Sequence, residues 1–223
     1  MQEVMIERAC ALLADGTVSR VLGWKNGEFA YDPTPAVFDS AEALQKAFVY
    51  NDFCASNLSK YLIKLSRAEG KTLIFVKPCD SYSLNQLLTE HRVKRESIYV
   101  IGVPCDGKVS ENKIRENGVE GVTSITTEGE TVTVHTLYGD TAFQKTDIMD
   151  DRCITCKSKK IVISDEILGE NGEVDADSKR FDQVAQLEAM TPDERYAFWQ
   201  KELSRCIRCN ACRNVCPACS CEN

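Results

Sequence analysis

The chain of 223 residues has no long hydrophobic run and no recognisable targeting segment. Its apolar runs fall well short of the ~20 residues that a membrane-spanning helix requires. The first residues, Met1 to Arg8, include two glutamates, whereas a signal peptide starts with basic residues followed by an apolar stretch. We therefore expect a cytoplasmic protein without a membrane span.

Blocks of basic residues are also missing. Asp and Glu number 34 against 27 Lys and Arg, which gives a formal net charge of −7. This acidic balance argues against nucleic acid or an anionic membrane as the main partner. Hydrophobic residues make up 43% of the chain, which is enough to build a core and excludes disorder as the main state.

Residues for acid–base or nucleophilic catalysis are scarce. The chain has 2 histidines, and His91 and His135 lack neighbours typical of a metal site or a catalytic centre, so we interpret both as ordinary structural residues. No Ser, His and Asp arrangement or phosphate-binding loop is present, and no G-x-G-x-x-G follows a predicted strand. The sequence therefore indicates no catalytic residue.

Cysteine, in contrast, is abundant, with 12 residues. A chain without an export signal is normally kept reduced, so thiolate ligands are a better interpretation than a disulfide framework. Cys10 and Cys54 stand alone in apolar stretches that we predict to be helical, and an isolated cysteine of this kind usually packs in the core. The other ten belong to motifs.

The N-terminal third combines helices with one hairpin. Asn26-Gly27 is a strong turn signal between strand-like runs at 18–24 and 28–31. Asp32-Pro33-Thr34-Pro35 is expected to break the second strand. Apolar periodicity predicts helices over residues 4–13, 41–49 and 55–68.

The middle of the chain predicts a parallel sheet. A strand at 72–76, a helix at 81–91 and a strand at 98–103 have the size of one βαβ unit, with a right-handed crossover. A hairpin at 122–126 and 131–135 and a buried strand at 161–164 follow. The fold class is therefore α/β with a mixed sheet core, and α+β is the alternative.

The C-terminal part changes in character. Residues 166–179 are rich in Gly, Asp, Glu and Asn, as in a loop or linker. A helix over 181–190 precedes a second one that starts at a capping box, Thr191 to Glu194. We interpret the apolar side chains of the second helix as core in preference to a docking surface; they are Tyr196, Trp199 and Leu203.

These patterns predict three parts of the chain. Residues 1–170 form the α/β core domain, residues 171–204 form a helical linker, and residues 205–223 form a ferredoxin-like segment.

The C-terminal segment contains the run C-x-x-C-x-x-C-x-x-x-C-P. Such spacing lets the backbone fold around a cuboidal [4Fe–4S] cluster, so that successive thiolates meet different irons. A zinc site is the alternative, although three closely spaced ligands in a row crowd a single tetrahedral ion. The cysteines are Cys206, Cys209, Cys212 and Cys216, followed by Pro217.

Two further cysteines, Cys219 and Cys221, follow this run. In two-cluster ferredoxins the fourth cysteine of a run binds the other cluster, which requires a second copy of the run. No second copy is present here. We expect either that Cys216 completes a single cluster and the last two thiols are spare, or that further ligands lie in a longer chain.

Four more cysteines are dispersed. Cys79 and Cys105 each follow a strand of the predicted βαβ unit, so both belong at the carboxyl edge of the sheet. A short loop could bring the pair Cys153 and Cys156 to the same edge. Four thiolates there would make a second [4Fe–4S] site, although a C-x-x-C pair is also compatible with redox chemistry or a zinc knuckle.

Basic residues flank both cysteine groups, including Lys157 to Lys160 and Arg205, Arg208 and Arg213. Positive charge offsets the negative charge of a thiolate-bound cluster and tunes its potential. A solvated basic face explains the same residues equally well.

The order of these motifs resembles the β-subunit family of coenzyme F420-reducing (deazaflavin-reducing) hydrogenases and formate dehydrogenases, which are iron–sulfur flavoproteins. The resemblance covers residues 48–170. It rests on Pro78-Cys79, on Cys105-Asp106-Gly107, and on Cys153 to Cys156 followed by a segment that ends in Gly169-Glu170. It implies that Cys79, Cys105, Cys153 and Cys156 hold one [4Fe–4S] cluster, and that FAD binds near it.

The position of the ferredoxin-like run departs from this family. Its members often carry such cysteines at the N-terminus, whereas here they are C-terminal. We therefore expect an electron-transfer subunit of a multi-subunit anaerobic oxidoreductase of hydrogenase, formate dehydrogenase or heterodisulfide-reductase-linked type. Its partners would be other redox subunits, with ferredoxin or a deazaflavin as further candidates.

Two alternatives remain at this point. The chain could be an autonomous flavoenzyme that reduces a deazaflavin, or a zinc-binding scaffold without a redox role. A subunit is favoured over a complete enzyme, because the residues include no catalytic group.

Overall fold

The computed structural model describes residues 1–219, and Cys221 therefore lies outside the described residues. Short 3-10 helices lie at Ser59–Tyr61 and Arg95–Ser97. The strands are β1 (Arg20–Lys25), β2 (Thr34–Phe38), β3 (Thr72–Val76), β4 (Ile98–Gly102), β5 (Val122–Glu128), β6 (Thr131–Thr136), β7 (Gly139–Gln144) and β8 (Glu166–Ile167). The α-helices are α1 (Gln2–Ala14), α2 (Ala41–Ala47), α3 (Leu62–Leu65), α4 (Pro78–Thr89), α5 (Glu111–Glu116), α6 (Lys145–Ile148), α7 (Asp151–Ile154), α8 (Asp182–Ala189), α9 (Pro192–Leu203) and α10 (Ala211–Val215).

A five-stranded mixed sheet in the order β2-β1-β3-β4-β8 forms the centre of the fold. β1 pairs antiparallel with β2, whereas the β1–β3, β3–β4 and β4–β8 pairs are parallel. No residue of the central strand β3 is more than 1% exposed. Continuous burial is typical of parallel strands covered on both faces. The predicted βαβ unit and mixed α/β class are confirmed.

A second sheet, β5-β6-β7, is antiparallel throughout. Its first two strands are the predicted hairpin, and β7 was not predicted from the sequence. Val132 and Val134 of β6 are buried with Ile114 of α5 and Ile148 of α6. This sheet therefore has a hydrophobic core separate from that of the central sheet.

The N-terminal hairpin forms, but its second strand is not the predicted one. β2 starts at Thr34, and Pro35 pairs with Trp24 inside the ladder. β2 is an edge strand, where proline is tolerated because one side of the strand needs no amide hydrogen bond. The expectation that Asp32-Pro33-Thr34-Pro35 breaks the strand was therefore wrong.

The helix predicted over 55–68 is also wrong, since only Ser59–Tyr61 and α3 are helical. Asn57 Oδ1 accepts a hydrogen bond from the Ser59 amide at 2.9 Å. Such a local side-chain bond favours a turn over helix continuation. The turn brings Asn57 against α4, where its Nδ2 donates to Ser83 Oγ at 2.9 Å.

The strand predicted at 161–164 lies instead at β8, and pairs with β4. Ile161 is buried as expected, at 4% exposure. However, its backbone groups bond to the side chain of Asn171, with Ile161 N donating to Oδ1 at 2.7 Å and Nδ2 donating to Ile161 O at 3.1 Å. The side-chain amide of Asn171 thus makes the hydrogen bonds to Ile161 that the backbone of a neighbouring strand would otherwise make.

The C-terminal helices pack loosely. None of the residues described between 162 and 219 is buried. Tyr196 and Leu203 of α9 are 66% and 64% exposed, so the interpretation of this face as core was wrong. Within residues 1–219, no helix is both long enough and apolar enough to cross a bilayer.

Candidate iron–sulfur site

A cavity of about 660 Å³ opens at the carboxyl ends of β3 and β4. Five cysteines line it: Cys79, Cys105, Cys153, Cys156 and Cys216. The first four are the dispersed cysteines, so the structure brings together side chains that lie up to 77 positions apart in sequence. The fifth belongs to the C-terminal run.

Cys79 lies in the first turn of α4, not in a loop before the helix as the sequence had suggested. The helix starts early because Pro78 occupies its first position, where a missing amide hydrogen costs nothing. Although Cys79 as a residue is exposed, desolvation of its thiol, reinforced by the neighbouring Asp80 carboxylate, raises the pKa of that thiol to about 12. The thiol is therefore protonated at neutral pH without a metal, and metal binding would displace that proton.

Cys105 follows β4 in a tight loop whose shape depends on Gly107. Gly107 has φ +106°, and a Cβ at this position would lie 2.6 Å from Met149 Sδ. Only glycine fits both the backbone conformation and the contact. The Cys-x-Gly spacing therefore has a local structural cause.

Cys153 and Cys156 lie in and just after α7. Asp150 begins this helix by accepting a hydrogen bond from the Arg152 amide, and its own amide donates to Lys108 O at 2.8 Å. The second bond ties the C-x-x-C segment to the loop that carries Cys105. Burial raises the pKa of the Cys153 thiol, as it does for Cys79.

The cavity is strongly basic, although the chain as a whole is acidic. Its lining contains seven Lys or Arg residues and a single acidic residue, Asp80. This composition suits a bound group of negative charge, such as a cluster held by four thiolates. The basic residues are Lys60, Lys77, Lys108, Arg152, Lys157, Lys159 and Arg180.

Lys77 and Lys108 are the buried members of this set. The Lys77 side chain is 2% exposed, and its Nζ lies 2.5 Å from Asp80 Oδ2 and donates to Ser56 O at 3.1 Å. Burial opposes the charged form of Lys77, but Asp80 and the other acidic groups outweigh it, so the pKa of Lys77 is raised. Lys108 Nζ donates to Asn51 O at 3.0 Å. Both side chains are therefore held in place by hydrogen bonds to backbone carbonyls.

Sequence reasoning missed Lys60, Lys77 and Lys108. Lys77 and Lys108 lie two and three residues from a cysteine of the site, and that proximity was an available signal. Lys60 gave no signal, because it is 19 positions from the nearest cavity cysteine in sequence. The flanking Lys157 and Lys159, by contrast, do line the cavity.

The C-terminal run is divided by its surroundings. Cys206, Cys209 and Cys212 are exposed, whereas Cys216 is half-buried. The loop before α10 turns through Arg208 and Asn210, whose φ values of 57° and 62° are left-handed. The Arg208 amide donates to Cys206 Sγ at 3.4 Å, a bond of the kind that stabilises a thiolate. Cys219 is half-buried and bonds through its amide to Cys216 O.

The four dispersed thiols are the kind and number of ligands that a [4Fe–4S] cluster requires. Around one Zn²⁺, four sulfurs all lie ~2.3 Å from a common point. Among residues 1–219, no group of three or more His, Cys, Asp or Glu side chains is arranged to hold a metal ion. A [4Fe–4S] cluster holds its four sulfur ligands on separate irons, and four thiols around a basic cavity match that donor set.

The remaining candidates lie elsewhere. Cys54 is buried in the hydrophobic core and Cys10 packs against its edge, as predicted, but Cys54 does not lie in the helix that was predicted for it. His91 follows α4 in a left-handed conformation, and His135 of β6 contacts Asp140 Oδ2 at 3.0 Å. Neither histidine lines the cavity.

Two curated relatives of this chain are β subunits of F420-dependent formate dehydrogenases. No known family profile matches the chain. The F420-dependent formate dehydrogenase 1 subunit beta of Methanococcus maripaludis is 22% identical over 272 aligned positions, which cover 95% of this chain and 70% of the relative. The F420-dependent formate dehydrogenase subunit beta of Methanocaldococcus jannaschii is 28% identical over 99 positions, which cover 44% of this chain and 26% of the relative.

The fold agrees with these relatives. A chain of the F420-reducing [NiFe] hydrogenase complex from Methanosarcina barkeri superposes with a TM-score of 0.59 and 14% identity, covering 90% of this chain and 84% of that one. The mixed α/β architecture is thus shared with a known structure. Together, these findings confirm that the chain resembles β subunits of F420-dependent formate dehydrogenases, and that it shares its fold with a chain of an F420-reducing hydrogenase complex.

Proposed function

We propose that this protein is an iron–sulfur electron-transfer subunit of a multi-subunit oxidoreductase. The observation that carries the proposal is the gathering of four thiols from three separate segments around one basic cavity at the carboxyl edge of the sheet. The two curated relatives, which are β subunits of formate dehydrogenases, support it.

The ligands fall into two sets. We assign a first [4Fe–4S] cluster to the dispersed set, Cys79, Cys105, Cys153 and Cys156. We assign a second cluster to the C-terminal set, Cys206, Cys209, Cys212 and Cys216. In this assignment, residues 1–170 carry the first set and residues 205–223 carry the second. Residues 171–204 connect these two parts of the chain.

In this mechanism the protein binds the clusters and sets the charge around them. The thiolates bind iron, and the N-terminus of α4 directs its positive dipole end at the position of Cys79. The basic side chains of Lys77 and Lys108, each of which also contacts a carboxylate, would help to offset the negative charge of a bound cluster. When bound, each cluster exchanges one electron without a proton, so no general acid or base is needed.

The proposal also includes the binding of FAD. The resemblance implies a flavin near the dispersed set, where it would couple one-electron carriers to a two-electron donor or acceptor. Arg180 and Lys159 line the cavity beside the thiols and would suit its phosphates. Partners would be other redox subunits, with ferredoxin or a deazaflavin as candidates, and the exposed apolar residues of α9 support a contact with another subunit.

The test is anaerobic purification with iron, acid-labile sulfide, zinc and flavin quantified per chain. We expect about eight irons, and about four fewer in either Cys153→Ala or Cys206→Ala. Cys10→Ala is the matched control and should keep the full count, since Cys10 is half-buried in α1 away from both sets.

Other outcomes would identify the alternatives. About four irons that survive Cys153→Ala would remove the dispersed site. A colourless protein with zinc and no iron would establish a scaffold without a redox role. Stoichiometric flavin that is bleached by a reduced deazaflavin, without any partner subunit, would establish an autonomous flavoenzyme.

A further inference from the structure

The C-terminal cysteine run lies against the cavity of the dispersed cysteines. Lys60 Nζ donates a hydrogen bond to Arg213 O at 2.8 Å, across 153 positions of sequence. Four residues after Arg213 also line the cavity; they are Asn214, Val215, Cys216 and Pro217.

The contact has a clear electrostatic basis. Arg213 lies in α10, and its carbonyl is among the last four of the helix, which have no partner within the helix. A cation at this end of a helix satisfies such a carbonyl and interacts favourably with the helix dipole. Lys60 is therefore a C-terminal cap for α10 that is supplied by a distant part of the chain.

Lys60 is linked through hydrogen bonds to the helix that carries Cys79. It lies in the 3-10 turn Ser59–Tyr61, which Asn57 initiates, and Asn57 in turn bonds to Ser83 of α4. Cys79 is in the first turn of that helix. A contact made by Lys60 therefore places the C-terminal run relative to the dispersed thiols.

The contact also explains the uneven burial of the run. Of its four cysteines, Cys216 alone lines the described cavity, and the other three are exposed. Cys216 belongs to the C-terminal set by its sequence motif and to the cavity by its position. Through Cys216, the C-terminal set therefore reaches the cavity that the dispersed set lines.

We propose that Lys60 is a positioning residue that holds the C-terminal run against the cavity, so that electrons pass directly between the two cysteine sets beside Cys216. The proposal rests on the proposed function for the presence of the clusters. In the transfer, one set's cluster loses one electron and the other's gains it, and no bond or proton changes place. The path lies within one chain and needs no partner subunit.

The test compares the full-length wild type with Lys60→Met and a matched control, Lys64→Met. Lys64 is an exposed lysine of α3 that does not line the cavity. Iron and sulfide are quantified first. Electron paramagnetic resonance of the dithionite-reduced proteins should show magnetic interaction between two clusters in the wild type and in Lys64→Met, and its weakening in Lys60→Met.

Hydrogen–deuterium exchange supplies a readout that does not depend on the clusters. Losing a hydrogen bond from a charged donor at a partly exposed site should speed exchange in residues 205–217 by about five- to tenfold in Lys60→Met. Exchange in α4 and β3 should be unchanged, which would show that the variant is folded.

The outcomes separate this proposal from the proposed function. Two non-interacting signals in a wild type with a full iron count would overturn the direct electron path. Equal exchange of residues 205–217 in the wild type and Lys60→Met would overturn the role of Lys60, whatever the iron content. A low iron count with Lys60-dependent exchange would refute the proposed function and the electron path, while supporting the contact itself.

Discussion

The two cysteine sets lie in regions of opposite character. Two members of the dispersed set, Cys79 and Cys105, directly follow strands of the central sheet, in which β3 is at most 1% exposed. The C-terminal set lies in and around α10, and none of the residues described from 171 to 219 is buried. One set is positioned by a packed core, and the other by local turns and a few contacts.

This difference bears on how each site forms. Where packing holds the ligands, the folding of the core already offsets the entropic cost of bringing them together. The site is then preorganised before metal binds. Where ligands lie on an exposed segment, metal binding itself supplies much of the ordering free energy. We therefore expect the core region to be stable without metal and the C-terminal run to depend on its cluster.

The largest expected effect comes from the core. Phe75 of β3 is fully buried, so Phe75→Ala should lower the free energy of unfolding by about 3–5 kcal/mol through lost burial and a cavity. Trp199→Ala removes a larger side chain from α9, but that side chain is 47% exposed, and we expect at most about 0.5 kcal/mol. Anaerobic urea denaturation measures both. Similar losses would contradict the contrast between the two regions.

A smaller effect is expected where the two sheets meet. Asp52 contacts Lys108 Nζ at 3.6 Å and Lys145 Nζ at 3.0 Å, and accepts a hydrogen bond from Thr127 Oγ1 of β5 at 2.8 Å. Both lysines are under 10% exposed. Asp52→Asn leaves two buried ammonium groups uncompensated and should cost about 2–4 kcal/mol, less than a fully buried pair because Asp52 keeps some solvent contact.

The control for Asp52 is Asp147→Asn, at an exposed aspartate of α6. Urea denaturation should show no change for it beyond about 0.5 kcal/mol. An equal loss in both variants would mean that net charge, and not the buried network, is responsible.

The smallest effect concerns the start of α9. Glu194 accepts hydrogen bonds from the amide and hydroxyl of Thr191, and these bonds lower the pKa of its carboxyl below the model-compound value of 4.5. Because the folded pKa is lowered, the stabilisation is complete above pH 4.5 and is lost as pH falls through the folded value.

The amide resonance of Thr191 in an NMR titration reports this transition directly. It should shift with an apparent pKa below 4.5 in the wild type and lose that transition in Glu194→Gln. A midpoint at or above 4.5 in the wild type would show that the capping box does not persist in solution.

Much of the fold was predictable because its signals are local. The β3-α4-β4 unit followed from two continuous apolar runs around an amphipathic helix, and α9 followed from its capping box. The juxtaposition of Cys79 and Cys105 followed from strand direction alone, since parallel neighbours end at the same edge.

Two of the errors arose where a side chain replaced a backbone partner. Asn57 interrupted a helix that periodicity supported, and Asn171 satisfied the backbone of Ile161 without a strand. The bonds of Asn171 join segments that approach each other only after folding. The bond of Asn57 reflects a local competition between a turn and a helix. Composition and spacing do not distinguish such cases.

The sequence by itself identified the cysteines as the candidate ligands, and the spacing of the contiguous run predicted which of its thiols share a cluster. It also indicated the sheet edge at which two dispersed thiols meet. Only the tertiary structure decided that Cys153, Cys156 and Cys216 reach the same cavity, that seven basic residues surround it, and that Lys60 caps α10. Those contacts join residues far apart in the chain, and they form only when the packed sheet brings their segments together.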